Sequence, residues 1–144
     1  MGYTVTTGLH YPRLTFIDLQ RSRTSYTEVL GFEVAAESPG EPADPAVRAD
    51  PAQLYGGVAF AINGILFGPR PVAPDNDAFV AERIGLDHVS FAVVSRADLD
   101  DAAAKLQARG IEHGEVQELP GFGLAILSFS DPDGVNLELT SPLS

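Results

Sequence analysis

Two strand-like runs mark the pattern of apolar and polar positions, Leu9-His10-Tyr11-Pro12-Arg13-Leu14-Thr15-Phe16 and Leu86-Asp87-His88-Val89-Ser90-Phe91-Ala92-Val93. Each enters a polar turn, at Asp18 in the first case and at Ser95 to Asp98 in the second. Apolar residues then recur at helical spacing over Leu19 to Leu30 and over Leu99 to Ala108. Gly31 and Gly110 end these helices and are followed by similar pairs, Phe32-Glu33 and Ile111-Glu112. The halves also close alike, in Asn63-Gly64-Ile65-Leu66-Phe67-Gly68 and Asp133-Gly134-Val135-Asn136-Leu137-Glu138. The pattern predicts one β-α-β-β-β module written twice, an α+β chain with module 1 over about 8–70 and module 2 over about 85–142. One module alone could scarcely bury its sheet, so a single domain spanning 1–144 is expected.

Local chemistry supports these elements. The Asp18 carboxylate is placed to cap the first helix, whose apolar stripe is Tyr26, Val29 and Leu30. The second stripe is Leu99, Ala102, Ala103 and Leu106, which leaves Asp100, Asp101, Lys105 and Arg109 for solvent. Asn63-Gly64 and Asp131-Pro132-Asp133-Gly134 read as tight turns between strands. Glu37 to Gln53 carries Pro39, Pro42, Pro45 and Pro51 with no apolar period, the composition of a long exposed loop. Pro69 to Asp77 is expected to link the modules.

Composition narrows the function. Twenty acidic residues against nine basic ones give a net charge of -11, which disfavours nucleic acid and would attract a cationic small molecule. The absence of cysteine excludes disulfides, thiolate metal sites and cysteine nucleophiles, and fits a cytoplasmic protein. No run approaches membrane-spanning length, and Met1 to Leu9 lacks the form of a signal peptide. No glycine-rich phosphate loop of the required spacing is present, so no nucleotide cofactor is expected.

Strand alternation separates two faces. Val89, Phe91 and Val93 point towards the helix, and His88, Ser90 and Ala92 point the other way. On the last strand Leu137 and Leu139 take the helix side and Glu138 the opposite one. A carboxylate flanked by leucines requires compensation, by a metal or by a partner such as Arg13 or a histidine. Phe60, Phe67, Phe91 and Phe129 read as core, and Asp131 to Gly134 as a turn without the later ligands of a calcium loop.

Three blocks then resemble the vicinal-oxygen-chelate superfamily of glyoxalase I, bleomycin-resistance proteins and extradiol dioxygenases. They are Asp18-Leu19 with Arg21-Ser22, Tyr26 and Leu30-Gly31-Phe32; Gly85-Leu86-Asp87-His88-Val89; and Asp131-Pro132-Asp133-Gly134 through Leu137-Glu138-Leu139. The resemblance implies curved sheets forming an open barrel-like, concave pocket with helices outside. It also implies a divalent metal (zinc, manganese, nickel or iron) held on the first and last strands of each module, and a homodimer. His88 and Glu138 match two ligand positions; Tyr11 stands at the third and Gly68 at the fourth. His10 could replace Tyr11 only if a bulge near Pro12 re-aims it. Arg13, Ser90 and His113 are further pocket candidates, with His113 also fitting a rim position and Arg13 an anionic ligand.

Three functions follow as alternatives. The first is a metal-dependent lyase, isomerase or dioxygenase-like enzyme acting on an oxygen-rich small molecule, with His88, Glu138 and Tyr11 at its centre. The second is a metal-free protein that binds an antibiotic or metabolite. The third is a pocket in which His88 or Glu138 acts as acid or base without metal.

Overall fold

The computed structural model describes residues 2–143 and divides into two compact units, Met1–Asp77 and Ala78–Ser144. The first runs β1 (Arg13–Thr15), α1 (Leu19–Leu30), β2 (Glu33–Glu37), α2 (Pro45–Arg48), a 3-10 turn (Pro51–Gly56), β3 (Val58–Ile62) and β4 (Ile65–Arg70). The second runs β5 (Val89–Ala92), α3 (Arg96–Ala108), β6 (Gln117–Leu119), a 3-10 turn (Pro120–Phe122), β7 (Leu124–Ser130) and β8 (Asn136–Pro142). Each unit holds one four-stranded sheet, ordered β1-β4-β3-β2 and β5-β8-β7-β6. Both sheets are mixed. The first strand pairs in parallel with the last, and the remaining pairs are antiparallel. This is the α+β, twice-written β-α-β-β-β arrangement that the sequence predicts.

The repeat extends to the register. Arg13 lies opposite Gly68 in the first sheet, as Ser90 lies opposite Glu138 in the second. Two residues upstream of each first-strand member stand Tyr11 and His88, so those two occupy equivalent positions.

Apolar faces hold the helices to the sheets. In the first unit Tyr26 of α1 is buried among Phe16, Phe32, Phe60 and Phe67, with ring centroids 5.4 to 6.1 Å from its own. In the second, Leu99 and Leu106 of α3 are buried with Leu127, Phe129, Leu137 and Leu139 of β7 and β8. Each such side chain contributes about 1.5–3 kcal/mol through area removed from water.

The caps explain where the helices begin. Asp18 accepts from the Arg21 amide at 2.8 Å, as its position predicts. α3 starts three residues before the expected Leu99, because Ser95 and Asp98 form a reciprocal capping box. Gly31 and Gly110 both take positive φ, 68° in each case, beyond the helix ends.

Three expectations change. The first strand is shorter than Leu9 to Phe16: pairing begins at Arg13, directly after Pro12, which has no N–H to donate. Glu37 to Gln53 is not one long loop. Asp44 caps α2 and Asp50 caps the 3-10 turn, each followed by a proline at the first helical position, and Val47 is buried. Pro69 and Arg70 complete β4, so the connector starts after them. Among the described residues no helix is long and apolar enough to cross a membrane.

Candidate functional site

β5 and β8 carry a polar grouping on one face of the second unit's sheet. Paired residues share a face, so Ser90, Glu138 and Ser128 form one row across β5, β8 and β7, and Ala92, Thr140 and Ile126 form the next. This is the face opposite α3, since Leu137 and Leu139 are buried on the other side. His88 immediately precedes β5 and reaches the same row: its Nε2 lies 3.8 Å from Glu138 Oε1.

Each of these two side chains is held by a neighbour. His88 Nδ1 donates to Asp87 Oδ1 at 2.8 Å, which leaves Nε2 as the ring's lone-pair nitrogen. Thr140 Oγ1 donates to Glu138 Oε1 at 3.1 Å and is itself hydrogen-bonded to the Ser90 hydroxyl. The Glu138 side chain is only 14% exposed, whereas His88 is 45% exposed. A shielded carboxylate thus faces an accessible imidazole across a gap too long for a hydrogen bond.

The first unit differs at the equivalent positions. Tyr11 is half exposed and lies before β1, with His10 edge-on to its ring at 5.4 Å. Glu138 has Gly68 as its counterpart. The space a side chain at Gly68 would enter is filled by Arg13, whose Nη1 lies 2.8 Å from the Cβ position. A cation therefore stands where the second unit carries its carboxylate.

His113 sits elsewhere. It bridges to Phe129, a residue of the helix-side face, and its Nε2 lies 2.9 Å from the Gln107 side chain of α3. Its Nδ1 donates to the Gly114 carbonyl at 2.7 Å. His113 is thus apart from the His88–Glu138 grouping. Asp87, Thr140, Tyr55 and Arg70 were not singled out by the sequence; Asp87 and Thr140 were recoverable, as residues flanking two candidates on known strands.

A divalent ion has donors here for two positions. Ligands about 2.0–2.2 Å from a tetrahedral ion lie roughly 3.3–3.6 Å apart, close to the His88–Glu138 separation. Among the described residues no three His, Cys, Asp or Glu side chains gather as a metal cluster. The donor set thus fits two protein ligands, with the remaining positions left to water or substrate.

The family model of the glyoxalase/bleomycin resistance protein/dioxygenase superfamily matches residues 8–139. The chain belongs to this superfamily. Uncharacterized protein YaeR of Escherichia coli strain K12 is 30% identical over 132 residues, covering 91% of this chain and 93% of that protein. A solved glyoxylase/bleomycin resistance protein/dioxygenase domain from Frankia sp. EAN1pec has a TM-score of 0.72 at 28% identity, covering 96% of this chain and 93% of that one. Lactoylglutathione lyase from Agrobacterium tumefaciens has a TM-score of 0.67 at 17% identity, with 96% of each chain covered, a likeness of fold alone. Superfamily membership accounts for the twice-repeated register of the two sheets.

Proposed function

We propose that the chain is a small-molecule enzyme of the superfamily, of lyase, isomerase or dioxygenase type, with His88 and Glu138 as two ligands of a divalent zinc, manganese, nickel or iron ion. When bound, the ion would act as a Lewis acid on an oxygen-rich substrate that develops negative charge. Asp87 fixes the tautomer that leaves His88 Nε2 free to coordinate. Thr140 and Ser90 hold the Glu138 carboxylate in one orientation. Tyr11 is the first unit's counterpart of His88, with His10 edge-on to its ring. A homodimer in the cytoplasm belongs to the same reading.

The observation that carries this reading is the 3.8 Å gap between His88 Nε2 and Glu138 Oε1, two donors each oriented by its own partner. Metal content of the purified protein tests it. Wild type should carry close to one divalent ion per chain and His88→Ala should not; a metal-free wild type after reloading would end it.

A second reading, a metal-free protein that binds an antibiotic or metabolite, is favoured by one observation. At the position equivalent to Glu138 the first unit has Gly68 with the Arg13 guanidinium against it. Under that reading ligand affinity would be indifferent to chelators.

A further inference from the structure

Arg13 and Arg70 make no ion pair with a carboxylate among the described residues, although the chain holds twenty acidic residues against nine basic ones. Both belong to the same face of the first sheet, since Arg13 pairs with Gly68 and Arg70 with Thr15. Both also approach one ring: Arg13 Cζ lies 5.5 Å and Arg70 Cζ 4.0 Å from the Tyr55 centroid. Two guanidinium groups are thereby gathered where like charges repel and acids are plentiful elsewhere.

Their hydrogen bonding is incomplete. Arg13 Nη1 and Arg70 Nε are buried and have no acceptor among the described residues. Buried donors are normally satisfied, and an orphan one calls for an explanation. Arg70 Nη2 makes a long bond of 3.5 Å to the Arg48 carbonyl, so beyond the Tyr55 ring face its charge has no counter-charge among the described residues. Both arginines are half-buried overall, so their other nitrogens remain open to a ligand.

Tyr55 sits on a strained stretch of backbone. Leu54 and Tyr55 have φ of 51° and 55°, a left-handed conformation that residues with side chains rarely adopt in succession. Backbone strain of this kind gathers at ligand sites. Arg70 also lines an open cleft with Arg48, Pro45, Ala49 and Val72, which Arg13 and Tyr55 do not line.

We propose that Arg13 and Arg70, braced by Tyr55, form a binding site for the carboxylate or phosphate group of a small molecule. The forked donors match two oxygens of such a group, and its charge relieves the repulsion between the arginines. The site lies within the first unit and stands whether or not His88 and Glu138 hold a metal.

The test is a titration of the full chain with inorganic phosphate, and in parallel with acetate, at constant chloride. Binding is followed by calorimetry and by the Nε–H resonances of the arginines. Saturable one-to-one binding of at least one probe is expected, shifting the signals of Arg13 and Arg70. Arg13→Gln and Arg70→Gln should each weaken it at least tenfold, while Arg83→Gln and His88→Ala leave it unchanged. No saturable binding of either probe would overturn the proposal. So would an equal loss in Arg83→Gln, or a loss confined to His88→Ala, which would assign the anion to the other grouping. Should an arginine variant fail to fold, the wild-type Nε–H shifts decide alone.

Discussion

Asp87 Oδ1 lies 2.8 Å from His88 Nδ1, and this contact decides which ring nitrogen of His88 is free to act. The bond fixes both tautomer and ring orientation, the role outer carboxylates play for metal-bound histidines. Asp87 is 76% exposed, so its contribution falls at the low end of the usual range. Asp87→Ala should therefore weaken divalent-metal affinity by about tenfold. A competition titration against a chromogenic chelator measures it, and an unchanged affinity would remove Asp87 from the site.

Tyr26 is the largest fully buried side chain of the first unit, 1% exposed and in contact with four phenylalanine rings. Tyr26→Ala removes its dispersion contacts and leaves a cavity that four rigid rings cannot close. A loss of about 3–5 kcal/mol is expected in urea unfolding. A loss under about 1 kcal/mol, the scale of an ordinary surface change, would contradict this packing.

Ser22 of α1 behaves oppositely. It is fully buried and its hydroxyl has no hydrogen-bond partner among the described residues. Ser22→Ala removes an unsatisfied polar atom and improves helix propensity, so stability should hold or rise by up to about 1 kcal/mol. A lower melting temperature would show that the hydroxyl is satisfied in solution.

The repeat was legible because it is written twice in side-chain chemistry that acts locally. Asp18 and Gly31 delimit α1 with backbone rules that need no tertiary context, and the Gly64–Gly134 correspondence carries directly into the matching registers of Gly68 and Glu138. The shared face of His88 and Glu138 was legible from strand alternation, whereas their reading as metal ligands came from the family resemblance. The segment from Glu37 to Gln53 misled, because its prolines read as breakers. Asp44-Pro45 and Asp50-Pro51 are instead helix starts, a cap followed by a residue that needs no N–H. Tyr55 and its two arginines were out of reach: left-handed Leu54 and Tyr55 have no sequence signature, and the gathering of Arg13 with Arg70 depends on β1 pairing with β4.

The most direct test of the account is a titration of metal-stripped protein with zinc, manganese, nickel and ferrous iron, comparing wild type with Glu138→Gln. One ion per wild-type chain is expected, with a loss of affinity beyond about a hundredfold in the variant, more than the loss of an outer hydrogen bond produces, and with melting unchanged in the absence of metal. Equal affinity in both proteins, or no saturable metal binding in folded wild type, would contradict it.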